Sequence, residues 1–178
     1  MQSRIRHGFA GFAALVAVWA MGLVTPVLAA DELAALAARV QVLEDREEIR
    51  ALILAYGQAH DHRDYRMFAD LFATNGEWIG GFGTAVGPEA IFALMDKNIG
   101  HNPLPDGSGT FHVMTNDQIV VDGDHASSVT KWLYLTEGDD KAPKPTYLGH
   151  YIDEFVRENG HWKFLRRQSV SDLSPLRP

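Results

Sequence analysis

The chain has 178 residues, enough for one domain with a core of its own, and its 46% hydrophobic and 22% charged content is that of a globular protein rather than a disordered one. A formal charge of −7 makes nucleic acid a poor partner. The absence of cysteine excludes disulfide staples and thiolate chemistry.

Residues 1–30 read as an export signal. Arg4 and Arg6 precede an apolar run over residues 8–24, and Pro26 leads into the small-residue end Val27, Leu28, Ala29, Ala30. Cleavage is expected after Ala29 or Ala30, leaving a periplasmic or secreted chain of formal charge −9, because two arginines and no acid are lost. The apolar run is shorter than a spanning helix, so the membrane is expected to be met only through the signal, a retained anchor being the alternative. Over residues 31–44, Leu33, Leu36, Val40 and Leu43 recur at steps of three and four. This is the spacing of a coiled-coil seam, so a leader helix is expected there, serving either as a dimer contact or as a strip lying on the same domain.

Asp45, three residues before Glu48, is an acidic variant of the capping box. It is expected to open a helix over 46–60 with Ile49, Leu52, Ile53 and Tyr56 on one face. Asp64 can cap a second helix carrying Met67, Phe68, Leu71 and Phe72 on one side, ended by Asn75 and Gly76. Residues 77–82 read as a short strand, and Gly87 and Pro88 open a helix through Met95. The stretch 98–109, rich in Gly, Pro, Asn and Asp, reads as a loop. Four strands are expected at 111–121, 126–136, 146–157 and 162–170. Turns at Asp122, Gly123, Asp124 and at Asn159, Gly160 join them, as does a polar loop over 138–145 that Pro143 and Pro145 keep out of any strand. Helices first and an antiparallel sheet after is an α+β order. A strongly bent sheet wrapped against helices leaves a concave cavity suited to a small ligand.

Asp61 and His112 carry the chemistry. A carboxylate that meets an imidazole can hold its tautomer or share its proton, the minimum for general acid–base work without a cofactor. His112 shares a strand face with Met114 and Asn116, so an inward His112 points into the cavity beside Met114. Trp78, Phe82, Trp132, Phe155 and Trp162 read as core or cavity walls. His150 and Tyr151 occupy opposite faces of one strand, so only one can line the cavity. His60, Asp61, His62 and Asp64 crowd together with His101 elsewhere, but no metal-ligand spacing appears and no metal is expected. Gly81, Gly83 and Gly87 miss the dinucleotide spacing, and Gly107, Ser108 and Gly109 lack a nucleophile elbow.

The segments DREEIRALILAYGQAHDHRDYRMFADLFATNGEW, VGPEAI, FHVMTN with VDGDHA, and GHYIDEFVRENGHWKFLRRQ, in this order, resemble the SnoaL-like branch of the nuclear transport factor 2-like superfamily over residues 45–172, with 173–178 as a tail. The resemblance implies a cone-shaped α+β barrel of N-terminal helices on a curved, mostly antiparallel sheet. Its members include dehydratases and a dehydrochlorinase that use an Asp and a His inside the cone without a cofactor. By position these fall on Asp61 and His112, the pocket Tyr on Tyr56 and a strand-end Arg on Arg157. From its own surroundings Arg157 reads instead as an ion-pair partner of Asp153, Glu154 or Glu158. A lyase or isomerase acting on a small hydrophobic or cyclic molecule is implied, through catalytic Asp61, His112 and Tyr56 and a wall of Trp78, Met114, Trp132, His150 and Arg157. A periplasmic binding protein with the same pocket is the alternative, and a homodimer or homotrimer fits either.

Overall fold

The computed structural model describes residues 17–100 and 109–173, which divide into two compact units, Met1–Gln41 and Val42–Pro178. Much of the expected export signal, the centre of the 98–109 loop with His101, and the C-terminal tail from 174 onward lie outside the described residues. Helix α1 (Ala17–Asp61) is one 45-residue helix, so the expected break at Asp45 does not occur. Asp45 is an interior, buried helix residue whose Oδ1 accepts from Arg157 Nη2 at 2.5 Å and Trp162 Nε1 at 3.3 Å. A carboxylate needed by two distant donors is not available for capping. Among the described residues no helix is long and apolar enough to cross a membrane. Leu33, Leu36, Val40 and Leu43 are 68%, 53%, 43% and 58% exposed.

Within the second unit, the last turns of α1 bury Ile49, Ile53, Tyr56 and Ala59, spaced by four, three and three as one helical face requires. Asp64 caps α2 (Tyr65–Asp70) by accepting from the Met67 amide at 3.0 Å. This helix is shorter than expected: Phe72 already belongs to β1 (Phe72–Gly80), and Met67 is exposed while Tyr65, Phe68 and Ala69 face the core. A hairpin through Gly81 and Phe82 adds β2 (Gly83–Val86), unforeseen in the sequence because four residues carry little periodicity. Next come α3 (Pro88–Ile99), with proline at its start, and β3 (Thr110–Asp122), β4 (His125–Glu137), β5 (Pro143–Glu158) and β6 (His161–Leu173).

The six strands form one sheet in the order β2-β1-β6-β5-β4-β3, antiparallel except where β1 runs parallel to β6. The α+β architecture is as expected; the sheet is curved but does not close, leaving β2 and β3 as edges. Pro143 and Pro145 lie inside β5 after all, paired with Glu137 and Leu135 of β4. They are tolerated because, among the described residues, β6 begins to pair with β5 only at Leu148, so one side of β5 needs no amide donors there. A bulge in β3 between Thr115 and Gln118 places Asn116 at φ 53° and exposes it. The inward parity therefore switches from His112 and Met114 to Ile119, and the expected alignment of Asn116 with His112 is lost.

Gly149 marks the tightest approach in the sheet. A Cβ there would lie 2.0 Å from the Val170 carbonyl and 2.6 Å from Trp132 Cζ2. Gly149→Ala is expected to cost at least about 2 kcal/mol in urea unfolding, since a backbone carbonyl cannot swing away as a side chain can.

Candidate active site

Asp61 is the last residue of α1 and His112 the third residue of β3. They meet because Gly57, one turn earlier on the same helix, presents no side chain to β3: a Cβ there would sit 3.0 Å from Met114 Cε and 3.4 Å from His112 Cβ. Asp61 then grips His112 twice. Oδ2 accepts from the His112 backbone amide at 2.8 Å, and Oδ1 lies 2.6 Å from Nδ1. The side chains are 12% and 7% exposed, so bulk water competes little for this pairing. With Nδ1–H donated to the carboxylate, the lone pair of the ring resides on Nε2.

The His112 ring borders a cavity of about 410 Å³. Tyr56, Trp78, Phe82, Trp132, Tyr147 and Tyr151 supply most of its wall, with His60 and Tyr134 beside His112. A second hollow, of about 330 Å³ between Gly109–Phe111, Leu135–Glu137 and Pro143, has no imidazole among the described residues that line it.

Of the residues singled out in the sequence, the cavity gathers Tyr56, Trp78, His112 and Trp132, with Asp61 directly behind His112. The Tyr56 hydroxyl accepts from Trp78 Nε1 at 2.9 Å, and burial raises its pKa, so it stays a neutral phenol. Trp132 Nε1–H has no hydrogen-bond partner among the described residues. Tyr151 rather than His150 faces inward; His150 Nδ1 lies 2.9 Å from Asp172 Oδ1 on the other face of β5. Met114 packs on the core near Gly57 without lining the cavity. Arg157 is not in the cavity either. It binds Asp45, lies 3.3 Å from Asp124 and 3.9 Å from Glu48, and stacks over Trp162, so it joins β5 to α1 and to the β3–β4 turn rather than pairing with the acids expected from its own strand. The Asp153 carboxylate belongs instead to Arg167.

Tyr134, Tyr147, His60 and Arg167 carry roles here that the sequence does not announce. Tyr134 sits two after Trp132 on β4, and strand alternation alone could have placed it on the same wall; its ring centroid is 4.7 Å from that of His112. In the sequence His60 stands out only as one of a crowd of metal-ligand types. Its ring lies 4.7 Å from His112 and is enclosed by Tyr65, Phe68 and Tyr134, so burial, reinforced by His112, pushes its pKa down to about 3. Arg167 gave no local signal of burial.

The His60 shift has a consequence for stability. The unfolded imidazole takes up a proton near pH 6.5, whereas the folded one waits until about 3, so the unfolded state is favoured increasingly as pH falls through this window. His60 alone should erode stability by about 1.4 kcal/mol per pH unit below 6.5. His60→Gln is expected to flatten the slope of unfolding free energy between pH 6 and 4.5 by roughly that amount, read by urea titrations at each pH.

His60, Asp61 and His112 each bring one ligand-type atom within 4.8 Å of the others. Both Asp61 oxygens already accept from His112, so an ion bound there would share that carboxylate with the imidazole.

The SnoaL-like domain model matches residues 41–168, covering helix α1 from Gln41 and the whole sheet except the end of β6. The chain belongs to the SnoaL-like domain family. An NTF2-like protein with a cystatin-like fold from Novosphingobium aromaticivorans is 30% identical over 81% of this chain and 90% of its own, with a TM-score of 0.66. A hexachlorocyclohexane dehydrochlorinase, LinA type 2, is 25% identical over 78% of this SnoaL-like chain and 93% of its own, with a TM-score of 0.63. ActVI-ORFA from Streptomyces coelicolor, 21% identical over 71% of this chain and 96% of its own with a TM-score of 0.60, shares the fold. No curated protein matches the sequence.

Proposed function

We propose that this SnoaL-like protein is an exported, cofactor-independent lyase or isomerase acting on a small hydrophobic or cyclic molecule. The observation that carries the reading is the double grip of Asp61 on His112 at the edge of an aromatic cavity. His112 Nε2 takes a proton from a ligand carbon, and Asp61 stabilises the imidazolium that results. In an elimination the carbanion electrons form a carbon–carbon double bond as hydroxide or halide departs; in an isomerisation the proton returns to another carbon. Tyr134, whose phenol burial keeps protonated and whose ring lies against His112, is the donor beside the base that meets charge on a departing group or carbonyl oxygen. The similarity to a hexachlorocyclohexane dehydrochlorinase supports elimination as one of the two outcomes.

Export rests on residues 1–30 and predicts a mature chain beginning at Ala30 or Asp31, which intact-mass measurement of the periplasmic protein would read. The chemistry is tested by incubating the protein in D2O with a panel of cyclic ketones and cyclic halides. Deuterium entering the recovered ketone, or halide released, supports proton transfer. Tight retention of a panel compound with neither outcome would favour a binding protein instead.

A further inference from the structure

The exposed apolar stripe on α1 has a heptad register that can be assigned in only one way. The step from Leu33 to Leu36 is three and from Leu36 to Val40 four, so Leu33 and Val40 occupy a positions and Leu36 and Leu43 d positions. All four are exposed, between 43% and 68%. Leu43 precedes the buried Asp45 by two residues, about 200° around a helix, so it points away from the core that Asp45 enters. A β-branched residue at a with leucine at d is the pattern of two-stranded coils. The flanking positions agree: e and g hold Ala37, Arg39 and Glu44, and in a parallel pair Arg39 of one copy faces Glu44 of the other, twice by symmetry. Ala34, Ala35 and Ala38 leave the remaining surface too smooth to compete as a seam. The charges beside the stripe, Asp31, Glu32 and Glu44 against Arg39, are of the wrong sign for an anionic lipid surface.

We infer that residues 33–43 form a parallel, in-register two-stranded coiled coil with a second copy of this chain. The seam is two heptads long, at the small end of specific interfaces, below about 1,200 Å², so the dimer dissociates on dilution, at on the order of micromolar protein.

The absence of native cysteine gives a direct test. Val40→Cys places the only thiol of the chain at the seam, and Ala38→Cys places it at an outer f position. Mild oxidation of the full chain is expected to convert most of V40C, and little of A38C, to a disulfide-linked dimer on a non-reducing gel. Sedimentation of the wild type should show dimer giving way to monomer on dilution. Leu36→Lys with Val40→Lys should be monomeric throughout, with unchanged circular dichroism, since neither side chain is buried in the monomer. Glu44→Arg should weaken the dimer at least severalfold, and adding Arg39→Glu should restore it. A wild type monomeric at roughly 100 µM, equal cross-linking of V40C and A38C, or a dimer surviving the double lysine variant would overturn the inference. So would a monomer that instead binds phosphatidylcholine vesicles through the stripe.

Discussion

Asp61→Asn is expected to leave the protein folded and to lower turnover by about 10³- to 10⁴-fold. The amide can satisfy its surroundings but only in one way. Its oxygen accepts from the His112 backbone amide, as Oδ2 does now at 2.8 Å, which turns the NH2 group toward Nδ1, where the carboxylate currently accepts at 2.6 Å. Two donors cannot face each other, so the imidazole must move its proton from Nδ1 to Nε2 and present N–H, not a lone pair, to the cavity. Folding is retained because every polar atom keeps a partner; catalysis is lost because the base has the wrong tautomer. His112→Ala should fall to the same residual rate, and the double variant no further, since the two residues act as one unit. The tautomer can be read without any substrate: the imidazole ¹⁵N shifts of His112 should show Nε2 unprotonated in the wild type and Nδ1 unprotonated in D61N. Unchanged shifts together with full turnover in D61N would remove Asp61 from the mechanism.

Arg167→Met is expected to destabilise the domain by about 3–5 kcal/mol, the largest stability effect foreseen for this chain. Arg167 and Asp153 are both fully buried and joined by two hydrogen bonds, Nε to Oδ1 at 2.8 Å and Nη2 to Oδ2 at 2.7 Å, with Ser128 Oγ donating to Oδ2 at 3.1 Å. Burial by itself would depress the Arg167 pKa, but the Asp153 carboxylate more than offsets this and holds it above its usual value. The guanidinium also lies 4.1–4.2 Å from the ring centres of Tyr56, Tyr151 and Phe164, so it is the plate on which two cavity-lining tyrosines rest. Removing it strands a carboxylate in a dry core and loosens the cavity wall together. Asp153→Leu should cost a comparable amount, because it leaves the arginine charge uncompensated. Replacing both, Arg167→Met with Asp153→Leu, should recover most of the loss, as buried pairs often contribute little against apolar residues of similar size. Urea unfolding of the four proteins forms the cycle. If the double variant were as unstable as the singles, packing of Arg167 against the three rings, rather than its charge, would be the dominant contribution.

Much of the fold was legible because its signals are local. Proline at the start of α3, the Asx and glycine turns at 122–124 and 159–160, and strand-length β-rich runs placed α3 and the last four strands to within a few residues. The elements that were misjudged answer to partners instead. Asp45 looked like a cap until Arg157 and Trp162, more than a hundred residues later, claimed its carboxylate. Pro143 and Pro145 looked like strand breakers, yet a side of β5 left unpaired among the described residues makes their missing amides harmless. Asn116 follows His112 by an even number of residues, but the bulge turns it outward.

The sequence by itself determined helix α3 and the four long strands, the helical face built on Ile49, Ile53 and Tyr56, and the two residues whose types suit proton transfer, because periodicity, capping and side-chain chemistry act over a few neighbours. Only the tertiary structure decided that Asp61 holds His112 by both oxygens, that Tyr151 and not His150 faces the cavity, that His60 is kept uncharged there, and that Arg167 lies buried beneath the tyrosines. Each of these depends on which groups displace water from a side chain and which hydrogen bonds replace it, and groups brought together only by the fold carry no local trace of that exchange.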